Sequence, residues 1–69
     1  MKKNEIFIVK KNLVLDDGDV PCGATIEMQE YNKDLNKYEV SITPYIKNGK
    51  RKSIKLFVEK DFILSNGER

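Results

Sequence analysis

Apolar residues in this chain recur at every second position, and that period restricts its fold more than any other feature. Ile26 and Met28, then Tyr38, Val40 and Ile42, then Ile54, Leu56 and Val58 each alternate with polar neighbours. A strand sends successive side chains to opposite faces, so this spacing builds a sheet with one apolar side. A helix needs apolar positions three and four apart over ten or more residues, and no segment supplies them. The pattern predicts strands at about residues 5–9, 12–15, 24–31, 37–46, 51–58 and 62–65. Asp16-Asp17-Gly18-Asp19 reads as a turn, and Pro21-Cys22-Gly23 as a second reversal or kink.

The register follows by counting. With Asn32 to Asn36 as a five-residue loop, Tyr31 stands opposite Lys37, Ile26 opposite Ile42 and Met28 opposite Val40. Asn48-Gly49 is the strongest short hairpin signal in the chain, a two-residue type I′ turn. An unbroken ladder from that turn would set Ile42 against Lys55 and mix the two faces. One extra residue repairs it. Pro44 is the expected bulge, because proline cannot donate to a ladder and is tolerated where the ladder is interrupted. Ile42 then pairs with Ile54, Val40 with Leu56 and Tyr38 with Val58, and all six join Ile26 and Met28 on one face.

Composition limits the options further. The chain has 69 residues, room for a single domain (residues 1–69, core about 6–64). A domain of this size buries only about 60% of its unfolded surface, so a homodimer or a larger host complex is a natural source of extra stability. The longest apolar run near the start, Ile6 to Val9, is too short for a signal-peptide core, and no run could span a bilayer. One cysteine allows no internal disulfide, which fits a reducing, cytoplasmic compartment. There is no histidine, no paired-carboxylate motif and no phosphate-binding glycine motif. An enzyme is therefore not expected, and no cofactor or metal is implied. The 13 Lys and Arg against 11 Asp and Glu leave a net charge of +2, enough for solubility and too little to imply nucleic acid by itself.

The element order is strand, long loop, three-stranded meander, one tight turn and a last strand. On the segments GATIEMQEY, KYEVSI, SIKLFV and EKDFIL, it resembles an SH3-like small barrel over roughly residues 6–64. The resemblance implies an all-β fold, a small barrel of five or six antiparallel strands. It implies little about function, since such barrels host unrelated activities. Proline-binding SH3 domains carry a Trp and an ALYDY-like segment, and this chain has neither.

Four groups of residues invite a functional reading. Cys22 has Asp16, Asp17 and Asp19 near it in sequence and no base, so it reads as a small junction residue and not as a nucleophile. The three aspartates have a cation-like spacing, but residues 20–26 lack the further ligands of a calcium loop, and turn formation accounts for them. Lys47, Lys50, Arg51, Lys52 and Lys55 form a basic hairpin beside Tyr45 and Phe57. Such residues either keep a sheet edge from pairing or contact the phosphates of nucleic acid. Phe57 is the oddity, because the register points it to the polar face among Gln29, Glu39 and Lys55. There it is either covered or a binding anchor, with Tyr31 and Tyr45 at the edges of the same patch. The leading expectation is a small binding module that recognises a protein partner through Phe57, Tyr31, Tyr45 and the loop at residues 10–23. Small size and an AT-rich residue bias match an adaptor or inhibitor from a phage or mobile element. The alternative is a nucleic-acid-binding barrel that uses the basic hairpin 47–55.

Overall fold

The computed structural model describes all 69 residues. It has seven strands and one short helix: β1 (Ile6–Val9), β2 (Leu13–Leu15), β3 (Gly18–Val20), β4 (Thr25–Asn32), β5 (Lys37–Lys47), β6 (Lys50–Val58), α1 (Lys60–Asn66) and β7 (Gly67–Glu68). All strand pairs are antiparallel. β7, β1, β4, β5 and β6 lie side by side in that order. The β2–β3 hairpin attaches to the far end of β5, where Asp19 pairs with Ile46. β5 therefore carries β6 along one edge and first β4, then β3, along the other. No helix is long and apolar enough to cross a membrane.

The alternation seen in the sequence becomes the core. Phe7 and Val9 from β1, Ile26 and Met28 from β4, Val40, Ile42 and Tyr45 from β5 and Val58 from β6 are buried on one side of the sheet. Val20, Ala24 and Ile63 complete the cluster. Tyr38, Ile54 and Leu56 pack against it, so all eight residues of the expected apolar face contribute. No polar or charged residue is buried. Ile42 faces Ile54, Val40 faces Leu56 and Tyr38 faces Val58, with Thr43 and Pro44 together opposing Ser53. That is the Pro44 bulge. Asn48 and Gly49 both have positive φ, as a type I′ turn requires, and Lys47 pairs with Lys50 across them.

Four expectations need correction. First, β4 has its own bulge: Gln29 and Glu30 oppose Glu39 alone, so Tyr31 pairs with Tyr38 and Asn32 with Lys37. The connecting loop shrinks to Lys33–Asn36, with Asn36 at φ 54°. Second, the acidic turn is only Asp16-Asp17. Gly18 and Asp19 already belong to β3, paired with Leu15 and Val14. Third, residues 62–65 are helical. A run of three apolar residues cannot by itself distinguish a short strand from a buried helical turn. Here Ile63 is fully buried and Phe62 and Asn66 half-buried, a helical spacing, while Leu64 is 52% exposed. The Gly67 N–H donates to the Ile63 carbonyl at the end of the helix. Fourth, the core extends past residue 64, because β7 pairs with β1 and Gly67 is buried. A Cβ on Gly67 would lie 2.9 Å from Phe7 Cβ, so only glycine lets the chain end dock this closely. The sheet does not close on itself, since β2, β6 and β7 each pair along one edge only.

The helix assignment makes a clean prediction. Ile63→Ala removes a fully buried side chain and should cost about 2–5 kcal/mol. Leu64→Ala, at an exposed position, should stay within about 0.5 kcal/mol of the parent. Urea denaturation of the two variants checks this, and equal losses would contradict the helical register.

Candidate functional site

The three aromatic residues expected to share one patch do not. Tyr45 is 5% exposed and belongs to the core. It is no surface contact, because the Pro44 bulge inverts the alternation and turns the ring inward. Tyr31 is 47% exposed, but the β4 bulge places it directly opposite Tyr38, on the apolar side of the sheet. The two rings meet edge to face, with centroids 4.9 Å apart, and the Tyr31 hydroxyl donates to Asn36 Oδ1 at 3.1 Å. Phe57 alone stays on the outer face, opposite Glu39 and 45% exposed. No second segment covers it.

The basic hairpin is where the sequence put it. Lys50, Arg51, Lys52 and Lys55 are exposed and Lys47 is half-buried at the turn. None is in an ion pair: the chain's two ion pairs join Lys3 to Glu30 and Glu5 to Arg69, at the opposite margin of the sheet. Cys22 is exposed, its N–H donating to Asn12 Oδ1 at 2.7 Å and its thiol to the Lys10 carbonyl at 3.3 Å. It serves the loop between β3 and β4.

Two hollows flank the β2–β3 hairpin. On one side lies a hollow of about 360 Å³ between β2 and β6, floored by Leu15, Tyr45, Ile54 and Leu56 and rimmed by Asp16 and Asp17. On the other side a hollow of about 400 Å³ runs past Leu13, Val20, Pro21 and Ile46. Val14 stands on the crest between them, 85% exposed. The first hollow is the seam where the sheet fails to close. β2 and β6 both present an unpaired edge there, with apolar side chains beneath and carboxylates above. Those carboxylates are felt by the floor: burial first, then Asp17, Asp19 and Asp16, push the Tyr45 phenol above its ordinary value.

The seam was not legible in the sequence. Leu13, Leu15, Ile54 and Leu56 were visible as strand residues, but which strand edges stay open depends on how the hairpin docks. Gly18 holds that docking. A Cβ there would overlap the Ile46 carbonyl oxygen and come 2.8 Å from Tyr45 Cζ, so β3 can lie against β5 only with glycine at this position.

No family model, no curated protein and no solved structure matches this chain.

Two outcomes follow from the seam's construction. Gly18→Ala should destabilise by about 1–3 kcal/mol, because the neighbour it meets is backbone that cannot swing aside. A melting temperature within about 2 °C of the parent would show that the hairpin is not held this close. The second outcome concerns pH. A phenol whose folded pKa lies above its unfolded value costs nothing while both states are protonated. Stability then falls as pH rises from about 10, the unfolded value, because only the unfolded chain sheds the proton. Tyr45→Phe should flatten that alkaline decline in thermal melts. An unchanged decline would assign it to other groups.

Proposed function

We propose that this chain is a small non-enzymatic binding module of the SH3-like type, and that its seam receives an extended segment of a protein partner. Strand, hairpin, three-stranded meander, short helix and a last strand returning beside the first is the element order of such barrels. The reading is carried by one observation: two unpaired strand edges, β2 and β6, border an apolar hollow. Strand edges expose unpaired N–H and C=O groups, and an added strand satisfies them while alternate side chains enter the apolar floor. Leu15, Ile54 and Leu56 would take those side chains. Asp16 and Asp17, free of ion pairs, favour a segment that carries Lys or Arg beside its apolar positions. The four cations on β6 disfavour pairing of two β6 strands across a homodimer, since like charges would meet along the ladder.

Selection of random twelve-residue peptides displayed on phage tests this, and no partner need be identified first. Enriched peptides should alternate apolar and polar residues, include Lys or Arg, and perturb amide signals along β2 and β6. Asp17→Lys, at an exposed position, should weaken such a peptide at least about tenfold, and Val14→Asp on the crest should weaken it less. Peptides that perturb only the outer face, or affinities indifferent to both substitutions, would remove the seam from consideration.

A further inference from the structure

The outer face of β6 is chemically unlike the seam. Side chains alternate along this strand without interruption, because the bulge lies in β5. Arg51, Ser53, Lys55 and Phe57 therefore line the same side, away from the core. Consecutive members stand about 7 Å apart, and Arg51 and Lys55 about 14 Å apart. The Pro44 bulge opens a hollow of about 420 Å³ at the Arg51 end, lined by Thr43, Pro44, Arg51, Lys52 and Ser53. Arg51 is the cation that this face brings to it, and no carboxylate lines it. Thr43 Oγ1 and Ser53 Oγ lie 2.7 Å apart. One hydroxyl hydrogen is used between them and the other remains free to donate outward. At the Phe57 end, an aromatic ring stands nearly half exposed beside Glu39.

We propose that this face binds single-stranded nucleic acid, with phosphates held by Arg51, Lys55 and the free hydroxyl at the bulge, and a base stacked on Phe57. Several features select this ligand. The cations of β6 have no carboxylate partner to give up, so each is available to phosphate. Edge protection alone would account for lysines along β6, but not for an exposed phenyl ring in the same row. The ring offers nothing to a duplex, whose bases are already stacked on each other, whereas an unpaired base presents its π-face to it. Glu39 keeps phosphate away from Phe57 and so sets a polarity, with phosphates at one end of the row and a base at the other. This surface lies across the sheet from the seam and does not depend on it.

Fluorescence anisotropy with a fluorescein-labelled oligodeoxythymidylate twelve-mer and the intact chain, at 50 and 200 mM salt, decides the matter. Two cationic phosphate contacts, from Arg51 and Lys55, give a slope of about −1.4 in log K against log salt, a loss of roughly 7-fold between the two conditions. Arg51→Ser and Lys55→Ser should each reduce the slope by about 0.7. Phe57→Ser should weaken binding at least about fivefold with the slope unchanged, and Phe57→Tyr should retain it. These positions are all exposed, so thermal melts should match the parent and peptide binding at the seam should be unaffected. Absence of binding at 50 mM salt overturns the proposal. So does equal affinity for the corresponding duplex together with a silent Phe57→Ser, since that pattern is charge attraction without stacking.

Discussion

The pairing of β5 with its neighbours on both edges is the interaction on which the rest of the molecule depends. At eleven residues it is the longest strand, and it alone contacts β3, β4 and β6 through ladders. Its alternation supplies Val40, Ile42 and Tyr45 to the core, against Ile26 and Met28 on one side and Ile54, Leu56 and Val58 on the other. A chain of 69 residues with no disulfide has little else to hold it. A one-residue slip of β5 would send that apolar set to the surface, so the register has to be specified strongly. It is specified twice, by the Asn48-Gly49 turn that starts the ladder and by the Pro44 bulge that corrects its phase.

The same bulge shapes both surfaces. By inverting the alternation after Thr43 it turns Tyr45 into the core, where the ring becomes the floor of the seam and the contact for Gly18. On the opposite side the extra residue leaves the hollow beside Ser53. A single local irregularity thus removes an aromatic from the outer face, floors an apolar hollow on one side of the sheet and opens a polar one on the other. The charges follow this division. Asp16 and Asp17 stand over the seam, and Arg51 and Lys55 line the outer face. The near-neutral total therefore conceals two surfaces of opposite charge.

Openness of the sheet is what leaves the seam as an apolar hollow between two free strand edges. Were β2 and β6 joined by hydrogen bonds, Leu15, Ile54 and Leu56 would be covered and both edges satisfied. The hairpin is instead anchored through β3 to the end of β5, with Gly18 pressed on the Ile46 carbonyl, and β2 is left free on its outer side. At the other margin, β7 is held by the glycine contact with Phe7 and by the Arg69 side chain, which pairs with Glu5 and lies 5.8 Å from the Phe7 ring centre.

Period-two alternation, the Asn48-Gly49 turn and the unavailability of an N–H at Pro44 are local properties. They determined by themselves that the chain is a sheet, how β4, β5 and β6 align through the core, and where the ladder breaks. Phe57 on the polar side was legible for the same reason, since parity along an uninterrupted strand needs nothing beyond counting. What depended on contacts distant in sequence was decided only by the tertiary structure. The β4 bulge has no Pro or Gly to mark it and arises because it seats Tyr31 against Tyr38. Phe62 to Leu64 chose helix because Ile63 fills the core while β7, two residues long, takes the place beside β1. The seam had no sequence signature, because an open edge belongs to the packing of a hairpin against a strand more than twenty residues away, and no single segment encodes it.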